Sequence, residues 1–201
     1  MSQNKANNFA QIRALPRKQQ GILSLILLQR MLPNYQLFTA VTEFPQPHQI
    51  ENVMNSLWER LLVHGSKLNF VALEEKVEIL TPDEADFEMY GVYPAIYFCT
   101  GLLNYIAGQQ TEDDYDAVAI AKISQGCIVH LIEYQAGDVE LDNSAIREHE
   151  LMVNEVELLT ELISWLESFD MKKLSANDIK KQCIAKAYAD GVTNIGIAVE
   201  E

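Results

Sequence analysis

The chain is poor in cysteine, in basic side chains and in long apolar runs, and each shortage excludes a class of protein. Its three cysteines, Cys99, Cys127 and Cys183, lie far apart and include no CxxC pair. An odd, scattered set supports neither a disulfide framework nor a zinc knuckle, so three buried thiols in a reducing cytoplasm are expected. Nine Gly and six Pro are too few for a collagenous or low-complexity chain. The longest apolar stretch, Ile22–Leu28, is seven residues broken by Ser24, whereas a membrane-spanning helix needs about 20. Met1–Phe9 is polar and lacks the basic-then-apolar layout of a signal peptide. These features predict a soluble, cytoplasmic chain with no membrane partner.

Positive charge is scarce where negative charge is not. Fifteen Lys and Arg face 29 Asp and Glu, for a net charge of −14. Residues 1–100 hold eight bases and ten acids; residues 101–201 hold seven and nineteen, so the halves carry −2 and −12. Between Glu112 and Asp170 fifteen acids accompany only two bases, Lys122 and Arg147. A duplex binder needs Lys and Arg to displace counterions from phosphates, and anionic membranes make the same demand. Direct nucleic-acid binding is therefore not expected. An acidic face serves solubility first, and attraction of a basic protein partner second.

What is present is ample apolar content, 48% of 201 residues in a chain of 22.8 kDa. Surface scaling gives about 9,600 Å² folded against about 33,000 Å² unfolded, so about 70% of the surface can be buried without staples. The periodicity is helical nearly throughout. Pro16–Met31 is apolar almost all round and predicts a central helix, with Pro33 as its stop and a short helix over Asn34–Thr42 after it. Phe44–Pro47 reads as a linker. Helices follow over His48–Val63 and Asn69–Leu80. Thr81-Pro82-Asp83-Glu84 reads as an N-cap and capping box opening a short helix that ends near Gly91. Val92–Ala107 predicts the second central helix. Thr111 is read as the cap of a helix to Ala136, with Gly137 beyond its end. A continuous helix over Asn143–Phe169 and one capped by Ser175 complete the set, and the alternating Ile195, Ile197 and Val199 predict an extended tail on the core. The fold class is all-α: residues 1–201 form a single-domain bundle of about eight helices around two buried ones.

The standard catalytic patterns are absent: no phosphate-binding Gly-rich loop, no GxGxxG, no HExxH and no GxSxG. Two constellations invite chemistry. If the helices either side of Gly137–Asp142 form an antiparallel hairpin, His130 and His149 lie level on their apolar stripes, and with a nearby Glu they could hold a divalent metal. The commoner fate of such histidines is a hydrogen-bonded core position. The acids Glu112, Asp113, Asp114 and Asp116 lack the spacing of a calcium loop and suit a helix start instead. The corner Tyr90-Gly91-Val92-Tyr93-Pro94 could line a pocket, with Asp86 and Glu88 nearby, or pack as an ordinary helix-to-helix turn.

The same corner carries a family resemblance. Asp86-Phe87-Glu88-Met89-Tyr90-Gly91-Val92-Tyr93-Pro94-Ala95-Ile96 resembles the signature stretch of the YjaG-like proteins, an uncharacterised bacterial family. Arg30-Met31-Leu32-Pro33-Asn34-Tyr35, Lys67-Leu68-Asn69-Phe70, Gln135-Ala136-Gly137 and Thr193-Asn194-Ile195-Gly196-Ile197 match as well, so the likeness spans nearly the whole chain. It implies a small, soluble, all-helical bacterial protein and supplies no catalytic residue. It singles out Arg30, Asn34, Tyr35, Asn69, Asp86, Tyr90 and Tyr93 as a candidate ligand-binding set on one polar surface near helix ends, although helix corners alone would give the same list. No cofactor is expected. The leading functional expectation is a non-enzymatic interaction or accessory protein, monomer or homodimer, with a basic protein partner for its acidic half. The alternative is a small-molecule- or metal-binding protein, or an enzyme, with its site at the Tyr90–Tyr93 corner.

Overall fold

The computed structural model describes residues 8–42, 44, 48–110 and 117–199. Among them the chain forms nine α-helices: α1 (Asn8–Ala14), α2 (Arg17–Thr42), α3 (His48–Leu62), α4 (Phe70–Leu80), α5 (Val92–Gln110), α6 (Ala117–Ala136), α7 (Asn143–Glu148), α8 (Glu150–Ser168) and α9 (Ala176–Ala187). A single 3-10 turn over Glu84–Asp86 precedes α5. The bundle is all-α, as its periodicity predicts. α1 is an addition, since its short apolar content (Phe9 and Ile12) gives little periodic signal.

The two all-round apolar segments are the central helices. Ile22–Leu28 of α2 is fully buried, Ser24 included, and α2 packs against α3, α5, α6, α8 and α9. Ser24 satisfies its hydroxyl within the helix by donating to the Gln20 carbonyl. α5 lies across α2 at Gly101, where a Cβ would come within 2.7 Å of the buried Leu28 Cδ2; the missing side chain lets the two helices approach. One large core surrounds α2 and α5, and a smaller one joins Cys127, Ile128, Ile132, Met152 and Ile195 beneath α6, α8 and the tail.

Three predicted boundaries are overturned, each by a hydrogen bond. Pro33 does not stop α2, which runs on to Thr42 and absorbs the short helix expected over Asn34–Thr42. Lacking an N–H, Pro33 leaves the carbonyl four residues back, at Gln29, without its helical donor. The Tyr188 hydroxyl, from just beyond α9, donates to that carbonyl instead. Thr81 ends α4 rather than opening a helix: its N–H bonds to the Glu78 carbonyl and its hydroxyl donates to Val77. Asp83 caps the following 3-10 turn. His149 breaks the expected helix over Asn143–Phe169 into α7 and α8, adopting an extended backbone and capping α8 by accepting from the Leu151 N–H through Nδ1.

The Ser175 cap holds: it opens α9 by accepting from the Asp178 N–H at 3.1 Å. Asn69, expected as the first residue of its helix, is the N-cap of α4 instead, accepting from the Ala72 N–H. The linker prolines Pro45 and Pro47, and the Thr111 cap with its acids Glu112–Asp116, lie outside the described residues. The tail is a tight hairpin rather than a laid-on strand: Thr193 N–H donates to Ile197 O at 2.8 Å and Val199 N–H to Gly191 O at 2.9 Å. Its turn uses Gly196 at φ 81, with Leu151 3.0 Å from where a Cβ would sit. Thr193 and Asn194 are thereby pushed into the core.

Candidate functional site

The Tyr90–Tyr93 corner is built by helical spacing on two helices. The turn before α5 closes through Val92 N–H to Met89 O and Tyr93 N–H to Tyr90 O. Tyr93 and Tyr97, four apart on α5, share one face, as do His130 and Tyr134 on α6. Those faces oppose each other. The His130 ring lies 4.5 Å from Tyr93 and near-perpendicular to it, 5.7 Å from Tyr90 and 6.0 Å from Tyr97. Tyr134 stacks obliquely on Tyr90 at 4.3 Å and remains 60% exposed. Gly126, one turn before His130, leaves room for Tyr97.

This corner is chemically tense. Among the described residues, the Tyr90 hydroxyl and His130 Nδ1 are buried with no hydrogen-bond partner, a condition that costs about 1–3 kcal/mol for each group. Burial, and then Cys127, Tyr97 and Tyr134, raises the Tyr90 phenol. Burial, and then Cys127 and Glu133, raises Tyr97. Both rings therefore stay neutral and offer electron-rich faces. One exposed carboxylate, Glu133 on α6, lies close enough to act on Tyr97, and two more, Asp86 and Glu88, are exposed on the chain leading into Tyr90. Neutral tyrosine faces beside carboxylates make an environment for an organic cation.

A second polar constellation is internal. Arg30, 2% exposed on α2, donates through Nε to Glu155 Oε2 at 3.0 Å and bidentately to Asp190, both bonds 2.7 Å. Its Nη1 also donates to the Ala187 and Val192 carbonyls. Glu155 accepts from the Ser124 hydroxyl at 2.6 Å, and Asn194 bridges Asn34 and the Ser124 carbonyl. Burial opposes the Arg30 charge, but Asp190 and Glu155 outweigh it and raise its pKa. The arrangement ties α2, α6, α8 and the tail together, its groups turned inward on one another, with the Asn34 Oδ1 buried and, among the described residues, left without a partner.

The seven singled-out residues are thus not one polar surface. Arg30 and Asn34 belong to the buried network, and Tyr35 is wholly buried, donating to the Leu80 carbonyl at 2.9 Å and packing against Phe98. Asn69 is an exposed helix cap, and Asp86 lies exposed in the 3-10 turn. Two pairs come together: Arg30 and Asn34 through Glu155, Ser124 and Asn194 in the interior, and Tyr90 and Tyr93 with His130, Tyr97 and Tyr134 at the corner. Long side chains at helix ends turn inward wherever carbonyls and carboxylates await them, and Arg30 and Tyr35 do so here. His130 and His149 play separate parts, one in the ring cluster and one as a cap. Among the described residues no group of three His, Cys, Asp or Glu side chains could hold a metal. Burial pushes Cys99, Cys127 and Cys183 each up to about 12, so none offers a thiolate near neutral pH. Glu155 carries its own signal in the sequence, an acid set between Met152 and Leu159 on the buried face of α8.

No helix among the described residues is long and apolar enough to cross a membrane. The sequence model of the family described as "Protein of unknown function (DUF416)" matches residues 7–198. An uncharacterised protein of Haemophilus influenzae is 32% identical over 178 residues, covering 85% of this chain and 86% of that one. The uncharacterised protein YjaG of Escherichia coli K12 is 29% identical over 176 residues, covering 87% and 88% respectively. The crystal structure of a DUF416 family protein from Shewanella baltica superposes with a TM-score of 0.84 at 34% identity, covering 97% of this chain and all of that one. In sequence over nearly its whole length, and in fold, the chain belongs to the DUF416 family.

Proposed function

We propose that this is a cytoplasmic, non-enzymatic binding protein that engages a basic segment of a partner protein at the Tyr90–Tyr134 corner. The carrying observation is the opposed ring cluster with Tyr134 standing 60% exposed beside it. An arginine of the partner stacks on the exposed Tyr134 face, where cation–π contact is worth about 0.5–1 kcal/mol. Glu133, Glu88 and Asp86 supply opposite charge, and the wider excess of acid over Glu112–Asp170 steers approach. The three thiols are held protonated and the Arg30 charge is consumed by its own carboxylates, which favours recognition over chemistry.

The test uses fluorescent arginine-rich, lysine-rich and glutamate-rich peptides of equal length. The arginine peptide should bind tightest, weaken at 0.5 M salt, and weaken about three- to fivefold further with Tyr134→Ala. Glu133→Lys should weaken it independently. Equal binding of all three peptides, or binding unchanged by both substitutions, would refute this reading.

A further inference from the structure

A separate concavity of about 520 Å³ opens on another face of α6, between α1 and the α7–α8 break. That volume falls within the range of small-molecule pockets, about 300–1,000 Å³. Phe9, Val129, Ile146 and Met152 give it apolar walls, and Lys122 and Arg147 bring cationic groups to it. These two are the only bases between Glu112 and Asp170, where fifteen acids are found. In so acidic a stretch, convergence of both cations on one apolar hollow, from different helices, is a specific arrangement. The Lys122 ammonium rests 5.6 Å over the Phe9 ring, which orients it. Arg147 donates through Nε to the Asn143 carbonyl at 2.8 Å, which fixes its stem. Its charge also acts on the exposed Asp142, whose carboxylate is already engaged by the Ser144 and Ala145 N–H groups, so the two terminal guanidinium nitrogens can take an oxyanion.

We infer that this pocket binds a small amphiphilic anion, its head group held by Lys122 and Arg147 and its apolar body lying against Phe9, Val129, Ile146 and Met152. The hollow is a shallow, open groove whose size and apolar walls suit a small molecule lying along it, and that molecule is an anion because the two charged side chains lining the groove, Lys122 and Arg147, are both positive. This site is independent of the tyrosine corner. The corner row, His130 and Tyr134, and the pocket row, Lys122 and Val129, point in directions about 100° apart around α6.

Decanoate, decyl phosphate, decanol and decylamine are the probes, titrated calorimetrically into the full chain below their aggregation concentrations. Both anions should bind saturably at one site, and decanol and decylamine at least tenfold more weakly. The ratio of decyl phosphate to decanoate affinity identifies the preferred head group. Lys122→Gln and Arg147→Gln are changes at exposed side chains. Each should weaken anion binding about tenfold, leaving decanol unaffected and the far-UV circular dichroism unchanged. Peptide binding at the tyrosine corner should survive both, which separates the two sites. Anions that do not bind, decanol or decylamine binding as tightly as decanoate, or anion affinity unchanged in both variants would each overturn the inference.

Discussion

Removing one charge from the Arg30 network makes the strongest test of the packing described above. Arg30→Met keeps length and apolar volume but strands Glu155, whose side chain is 3% exposed. Breaking a buried pair by deleting one partner costs about 3–5 kcal/mol, because the other charge is left uncompensated. Asp190 is different: its side chain is 36% exposed, so water can take over part of the role of Arg30 there. In urea unfolding at pH 7, followed by Trp58 and Trp165, the midpoint should fall by about 1–2 M for a slope of about 2–3 kcal/mol/M. The decisive variant is the double substitution Arg30→Met, Glu155→Met. It removes both buried charges together and leaves lost hydrogen bonds at the Ala187 and Val192 carbonyls and the Ser124 hydroxyl, and a half-exposed Asp190 that water can solvate in place of Arg30. Its cost should lie within about 1–2 kcal/mol of that of the worse single variant. A double variant whose loss equals the sum of the singles would refute the view that stranded charge, rather than lost packing, dominates.

Three further outcomes follow from the same geometry. Tyr188→Phe deprives the Gln29 carbonyl, already without its helical donor because of Pro33, of its replacement; stability should fall by about 1–3 kcal/mol, and a neutral result by calorimetry would dismiss the bridge as incidental. Burial works against the Asp190 carboxylate, but hydrogen bonds and charge from Arg30 prevail and hold its pKa below the usual carboxylate range. Its stabilising contribution is therefore present above about pH 4, the unfolded value, and lost as pH falls through the folded one. The stability deficit of Asp190→Asn should be constant from pH 8 to pH 5 and shrink as pH falls below 4, and a deficit that does not change below pH 4 would count against the pair. Burial pushes each cysteine to about 12, leaving about one part in ten thousand as thiolate at pH 8. None of the three should react promptly with a disulfide reagent in the native protein, and all three should react in 8 M urea; a fast native thiol would contradict the burial.

The elements that could be read along the chain are those whose cause is local. Ser175 caps its helix through a bond that spans three residues, and Gly137 takes the left-handed backbone at φ 60 that a helix end calls for. The misread positions were decided from afar or between two local options. Pro33 is tolerated because of Tyr188, 155 positions later. Thr81 carries a cap's side chain and turns it back to Val77 rather than forward. Arg30 and Asn34 were flagged by resemblance, yet their partners Glu155, Asp190 and Asn194 stand 125 to 160 residues away. The tyrosine corner was half legible: spacing puts Tyr93 with Tyr97 and His130 with Tyr134, and nothing in the spacing says that the two pairs face each other.

What makes them face each other is the rotation of α6 about its axis, which the buried network fixes together with the apolar face of Ile120, Ala121, Cys127 and Ile128. The Ser124 hydroxyl points inward to Glu155, and the Ser124 carbonyl is held by Asn194 from the tail. With that side of α6 pinned, the helical period dictates the rest: His130 and Tyr134 turn toward α5, and Lys122 and Val129 toward the groove beside α7. Both proposed binding faces thus depend on a lock that neither contains. Loosening it at Ser124 should disturb both faces at once, whereas Tyr134→Ala and Lys122→Gln should each disturb one. Peptide and decanoate affinities measured together on Ser124→Ala would distinguish a shared scaffold from two unrelated surfaces, and loss at only one face would show that α6 is oriented by something other than this network.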